Sequence, residues 1–227
     1  MSEKTENYSP DRLFGKKEDY SFTVLLVFLL VLSILLFIYN YFFAIIRVDG
    51  PSMLDTLKDE QFILFRTNAI TVKRNDIVTF KPEGYDKTLI KRVIAVEDDR
   101  IMFMLSADGN YVELYICKSG ETAFSALAEP YIREKMSAGA NYHDTRISPY
   151  VANVSELPYS NFDLYAVHIS ENHFFFLGDN RNISEDARFY GTQSLDKVIG
   201  KAYRNIKPGS FFDRILSFLY GLSNNEK

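Results

Sequence analysis

At 227 residues the chain has room for one modest domain with appendages, and its formal charge of −4 argues against a nucleic-acid partner, which requires a basic face. Cys117 is the only cysteine, so neither a disulfide scaffold nor a cysteine-rich zinc site can be built. Aromatic residues, all Phe and Tyr, make up 15%, a composition suited to β-structure beside a bilayer.

Residues 1–20 are polar with mixed charge and are expected to form a disordered tail. From Tyr20 through Ile46 there is no Asp, Glu, Lys or Arg. Because roughly 20 apolar residues cross a hydrocarbon core, this run predicts a transmembrane helix over 21–46. It closes on Tyr39, Tyr41, Phe42 and Phe43 instead of small residues, which marks an uncleaved anchor and not a removable secretion signal. Lys4, Arg12, Lys16 and Lys17 precede the run while Arg47 and Lys58 come after it. That asymmetry keeps the N-terminus cytoplasmic and exports the chain beyond Arg47.

Beyond the span, Gln61–Arg66, Asp76–Phe80 and Thr88–Val96 are short runs rich in β-branched and aromatic residues. Turn clusters at Arg74-Asn75-Asp76 and Lys81–Gly84 separate them, so the pattern predicts an all-β body. Ser106–Asn110 followed by Tyr111–Ile116 reads as a hairpin return. Residues 105–172 lose this periodicity and read as an insertion on the β body, with a short helix over Glu129–Met136. Strand character resumes at His173–Leu177, stops at Gly178-Asp179-Asn180, and returns in a closing strand over Val198–Ile206. The tail, 211–227, carries apolar residues at helical spacing from Phe211 to Leu222. It is too short to span a membrane, and either lies in the interface or packs on the domain.

The chemistry centres on Ser52, in Gly-Pro-Ser-Met just outside the uncharged run, and on Lys91, in an apolar strand. A serine hydroxyl is a poor nucleophile until a base takes its proton, and a lysine serves as that base only when burial lowers its pKa. Leu89, Ile90, Val93 and Ile94 can build that desolvated setting. A serine–histidine arrangement is disfavoured, since His143 and His168 fall in the insertion and no acid is placed to orient His173. Cys117 sits in an apolar alternating strand and reads as a buried thiol. The chemistry requires no metal and no cofactor.

Three segments, in order, resemble bacterial type I signal peptidases, the membrane-anchored Ser/Lys proteases of peptidase family S26. Pro51-Ser-Met-Leu-Asp-Thr-Leu57 is similar to that family's Ser-Met-x-Pro-Thr-Leu block, and Leu89-Ile-Lys-Arg-Val-Ile-Ala95 to its Lys-Arg-Val block. Gly178-Asp-Asn-Arg-Asn-Ile-Ser-Glu-Asp-Ala-Arg188 is similar to its Gly-Asp-Asn-x-x-x-Ser-x-Asp-Ser-Arg block. The resemblance implies a mainly β fold, in which one N-terminal transmembrane helix precedes an antiparallel β-sheet catalytic domain over 47–210 with an inserted cap subdomain. It implies Ser52 as nucleophile and Lys91 as general base, with Arg92 structural on the opposite face. Ser184 would orient the lysine amine, and Asp186 and Arg188 would form an ion pair holding the loop. Gly178 would supply unusual backbone angles, and Asp179 and Asn180 would either make a plain turn or shape the site. Val48, Met53, Leu57, Leu89 and Ile90 match positions lining pockets for small side chains, with the substrate added as an extended strand.

The implied partners are signal peptides of exported preproteins, the lipid bilayer and the export machinery, at the outer face of the plasma membrane. The chain departs from the family pattern at Asp55 in place of proline, Asp98 in place of glycine and Ala187 in place of serine. Gly50 stands where some members carry an oxyanion-binding serine, which leaves the Ser52 backbone N–H as the expected donor. The competing reading is a noncatalytic, membrane-anchored peptide-binding relative.

Overall fold

A computed structural model describes residues 20–54, 56–68, 70–138, 151–153 and 166–224. Helix α1 spans Tyr20–Phe42 and is long and apolar enough to cross a membrane. It is four residues shorter at its C-terminal end than hydropathy alone predicts (Phe42 against Ile46). The remaining uncharged residues, 43–46, enter β1, Phe43–Arg47, paired antiparallel with β2, Phe62–Arg66, from Phe43↔Arg66 to Arg47↔Phe62. Cross-strand pairing satisfies this backbone where helix continuation would have done, and a hydropathy count cannot tell the two apart. The chain divides at the end of this helix into two units, the first ending at Tyr41 and the second running over Phe42–Lys227.

The second unit is built on two mainly antiparallel sheets. The larger has the order β1-β2-β13-β3-β4-β11-β12, where β3 is Ile77–Phe80, β4 Leu89–Val96, β11 His173–Leu177, β12 Gln193–Ser194 and β13 Val198–Asn205. The smaller has β5 (Arg100–Leu105) and β6 (Tyr111–Cys117) at its centre, joined as the expected hairpin. Around them lie β7 (Ser125–Ala126), β8 (Met136–Ser137), β9 (Val151–Asn153, parallel to β5) and β10 (Val167–His168). Helix α2 is the short Ala187–Tyr190, and α3 is Phe211–Asn224.

The main core lies between these sheets. Phe80 meets Phe174 and Phe176 edge-on at 5.1 and 4.5 Å, while Phe103 of the smaller sheet meets Phe175 at 5.9 Å. A strand with three successive buried phenylalanines is covered on both faces. Val112, Leu114, Ile116 and Met136, all from the insertion, join the same core. A second, smaller core of Val48, Met53, Leu57, Ile63 and Phe65 lies under the chain leaving β1.

The expected helix over Glu129–Met136 does not form. One turn bond, Ile132 N–H to Glu129 O at 3.2 Å, is not propagated, and Met136 enters β8. The side chains of Glu129 and Tyr131 are committed instead to long-range partners, described below. Asp98, standing where the family pattern has glycine, takes φ +63°, the left-handed region that a glycine enters without strain. Asp55 and His143 lie outside the described residues.

Candidate active site

Strand alternation in β4 separates two adjacent cations. Lys91 and Arg92 point to opposite faces, and both are buried, Lys91 at 3% exposure. Lys91 sits opposite Val78 in the β3 pairing, and its neighbours Leu89, Val93 and Ile94 belong to the main core. Desolvation is the principal cause that lowers its pKa to about 8. Asp186 opposes the shift, Lys87 adds to it, and Glu185 and Arg188 make smaller contributions of opposite sign.

Ser52 is delivered to this amine by a turn with a buried footing. Leu54 N–H donates to Pro51 O at 3.1 Å and Leu57 N–H to Met53 O at 2.8 Å, while the Met53 and Leu57 side chains sink into the smaller core. Gly50 enters the turn at φ +88°, its N–H held by Asp59 Oδ1 at 2.8 Å. The result is a 2.6 Å hydrogen bond from Lys91 Nζ to Ser52 Oγ. Among the described residues the Ser52 backbone N–H has no hydrogen-bond partner.

The loop after β11 clamps the turn from the other side. Asn180 N–H donates to Ser52 O at 3.1 Å, and Asn180 Nδ2 to Pro51 O at 3.3 Å. Gly178 adopts no left-handed conformation, so the expected unusual backbone angle is not its role. Space is the reason for glycine here. A Cβ would overlap the Ser184 hydroxyl and stand 2.5 Å from the Ser52 carbonyl oxygen.

Asp186 receives Gly178 N–H at 3.0 Å and pairs with Arg188 through two bonds, at 2.8 and 2.9 Å. Burial pushes the Asp186 pKa up, but Arg188 and the Gly178 N–H outweigh it and hold the carboxyl below its ordinary value. Arg188 Nη2 also donates to Ser184 O at 3.1 Å, tying both ends of the loop. Among the described residues the buried Ser184 hydroxyl has no hydrogen-bond partner, so the bond to Lys91 implied by the resemblance is not formed. Ala187, at the start of α2, is fully buried in the main core.

Asp179 does more than make a turn. It accepts Arg92 Nε and Nη2 at 2.8 and 2.6 Å and receives the Thr56 hydroxyl in a short bond. Thr56 is one of four participants that sequence reasoning missed. Arg181 donates to Gly178 O at 3.0 Å and forms a buried ion pair with Glu129. Tyr131 donates to Glu129 at 3.0 Å and lies under the Arg92 guanidinium, 4.0 Å from ring centroid to carbon. Thr56 and Arg181 stand inside the matched blocks, a signal that could have found them, whereas Glu129 and Tyr131 lie in a stretch without periodicity.

An open cleft runs over Ser52 and Lys91, between the chain leaving β1 and the start of β4. Val48, Met53, Leu89 and Ile90 line it, as do Ile183 and Glu185. Leu57 does not; it is fully buried in the smaller core and supports the turn from below. Neither His168 nor His173 lines the cleft, and a His173 ring nitrogen is engaged with Glu171 O at 2.7 Å.

An antiparallel β protein with an apolar N-terminal helix, holding an alcohol against a buried amine in an open cleft, belongs to the class of membrane-anchored hydrolases. The family model described as "Signal peptidase, peptidase S26" matches residues 21–205, and the chain belongs to that family. It is 28% identical over 194 residues to the signal peptidase I of Streptococcus pneumoniae serotype 4, covering 80% of this chain and 91% of the relative. The signal peptidase I of Aquifex aeolicus is also 28% identical, over 78% of this chain and 80% of its own. A crystal structure of a signal peptidase I from Enterococcus faecalis V583 aligns with 58% of this chain and 97% of that one, at 18% identity and a TM-score of 0.36.

Proposed function

We infer that this S26 peptidase removes signal peptides from exported preproteins, with Ser52 as nucleophile and Lys91 as general base. The observation that carries the assignment is the 2.6 Å contact between Ser52 Oγ and an amine buried enough to lose its proton near neutrality. At pH 7 an amine of pKa about 8 is neutral in roughly a tenth of molecules, against well under a thousandth for an ordinary lysine.

The neutral Lys91 amine accepts the hydroxyl proton as Ser52 Oγ attacks the scissile carbonyl. Negative charge then develops on the carbonyl oxygen, and the unengaged Ser52 N–H is the donor available to it. Collapse of the tetrahedral species breaks the C–N bond, and the Lys91 ammonium returns its proton to the departing amine. The acyl group remains on Ser52. Lys91, neutral again, deprotonates a water that attacks the ester, and breakdown releases the signal peptide as the Lys91 ammonium returns that proton to Ser52 Oγ.

The cleft suits an extended peptide laid beside the chain leaving β1, with Val48, Met53, Leu89 and Ile90 offering shallow apolar contact to small side chains. The catalytic domain, 47–210, works on the outer face of the membrane, an orientation supported by the basic residues preceding α1. A noncatalytic peptide-binding role is disfavoured by an arrangement that keeps a costly buried amine against a hydroxyl.

Cleavage of a secretory precursor by the detergent-solubilised full chain tests the assignment. Ser52→Ala and Lys91→Ala should each abolish it and His173→Ala should not. Loss with His173→Ala and survival with Lys91→Ala would overturn the proposed base.

A further inference from the structure

Helix α3 begins after the last residue matched by the family model and takes no part in the cleft. It is amphipathic, and it is mounted the opposite way round from a helix packed on a globular core. At 3.6 residues per turn, Phe211, Ile215, Phe218 and Leu219 form one stripe with Phe212 at its margin, while Asp213, Ser217 and Tyr220 fall on the opposite side.

The second side is the one turned to the sheet. Tyr220 sets its ring 4.7 Å from the Arg47 guanidinium carbon and edge-on to Phe62 at 6.2 Å. Asp213 accepts the Gly209 N–H at 2.8 Å, and Asp213, Ser217 and Tyr220 line one cavity with Asp59 and Gln61. The apolar stripe is left facing outward, with Phe211, Phe212 and Phe218 at 73, 71 and 66% exposure. Three outward phenylalanines on one short helix form an apolar surface that water does not favour.

We propose that α3 is an interfacial membrane helix, its polar side docked on β1 and β2 and its phenylalanine stripe set into the near leaflet of the membrane that the anchor crosses. Continuity with that anchor selects lipid as the occupant. Arg47 closes the strand that starts at the residue after α1 ends, and five strand residues reach at most about 17 Å. The contact that fixes α3 is therefore made within a short length of chain from the end of the span. Charge agrees, since Lys207 and Arg214, both exposed, offer cations to anionic headgroups. Length agrees as well. Fourteen residues make a helix of about 21 Å, too short to cross a core of about 30 Å and suited to lying in its plane.

The chain contains no tryptophan, so Phe218→Trp in the full-length protein creates a single reporter, and Tyr111→Trp on β6 a control. Both lie outside the cleft, and precursor cleavage verifies that each variant is folded. The fluorescence itself does not depend on the chemistry assigned to Ser52 and Lys91. In vesicles of phosphatidylcholine and phosphatidylglycerol, Phe218→Trp should emit to the blue of Tyr111→Trp. It should lose about half its intensity when the acyl chains are brominated, as expected for a side chain about 5–10 Å into the interface, with the control almost unchanged. A Phe218→Trp signal indifferent to bromine overturns the proposal. Red emission would then assign the stripe to solvent, and blue emission to a second copy of the chain. Equal quenching at both sites overturns it too, as unspecific adsorption.

Discussion

Arg92 and Asp179 meet in a two-bond ion pair at 2.8 and 2.6 Å, one residue along β4 from Lys91 and one before Asn180 in the loop that holds Ser52. The pair also takes in Thr56, on the far side of the nucleophile turn. Strand alternation thus divides the work between neighbouring cations. Lys91 goes to the side of Ser52 and Arg92 locks the turn and the loop to the strand that carries Lys91.

Removing one member of this pair leaves the other charge buried. Arg92→Ala or Asp179→Ala should each destabilise the protein by about 3–5 kcal/mol, read as a lower unfolding temperature in detergent. The double variant should lose less than the sum of the two, because the stranded charge is gone. Additive losses would show that the two groups are not coupled.

With Lys91 as the proposed base, the pH dependence should follow its amine. Its amine is neutral above its pKa of about 8 and charged below, so kcat/KM should climb about tenfold per pH unit below that value and level off above it. Lys91→Arg should be inactive throughout, since a guanidinium stays protonated. A rate still rising steeply at pH 10 would contradict a desolvated base.

The same shift has a cost in stability, and its sign is opposite to that of a helpful ion pair. Between about 8 and the ordinary 10.5 the unfolded chain binds the Lys91 proton more readily than the folded one. Stability therefore rises with pH across that window, and the penalty is complete below it. Lys91→Met should thus raise stability at pH 7 by up to about 3 kcal/mol while abolishing cleavage. An unfolding temperature below that of the parent would refute it.

How far the sequence announced all this depends on the range of the interaction. The runs that form β2, β3, β4 and β11 are marked by β-branched and aromatic residues, and the three matched blocks bring Ser52, Lys91 and Asp186 to notice through local spacing. The end of α1 is hidden from hydropathy because residues 43–46 are as apolar as the helix before them, and only pairing with β2, some twenty residues away, makes them strand. In isolation Glu129 and Tyr131 read as helix, since nothing nearby reveals that Arg181 and Arg92 claim their side chains. Leu57 shares an apolar character with the cleft residues, and direction alone, set by the turn it anchors, puts it in the core.

Gly178 tests close packing against backbone freedom. Because its φ lies outside the left-handed region, Gly178→Ala is tolerable for the backbone. The added methyl is not, since it would press on the Ser184 hydroxyl and the Ser52 carbonyl oxygen. Overpacking of this kind costs about 1–3 kcal/mol, and the turn bearing Ser52 is the part able to yield. Gly178→Ala should keep its fold and lose most of its kcat, measurable by precursor cleavage alongside thermal unfolding.

Ser184 separates stability from turnover. Its hydroxyl is buried with no partner, while its backbone oxygen is held by Arg188, and it flanks the same Gly178 carbon as the Ser52 carbonyl. An unsatisfied buried hydroxyl is a burden of about 1–3 kcal/mol, so Ser184→Ala should leave the unfolding temperature unchanged or raise it. Once Lys91 takes the Ser52 proton it carries three N–H donors, and Ser184 offers a buried oxygen with no other donor in place. A hydrogen bond made only at that stage stabilises the transition state alone. Ser184→Ala should then lower kcat on the order of tenfold with KM unchanged, and Ser184→Thr should restore part of it. A fall in stability with kcat preserved would assign Ser184 to packing.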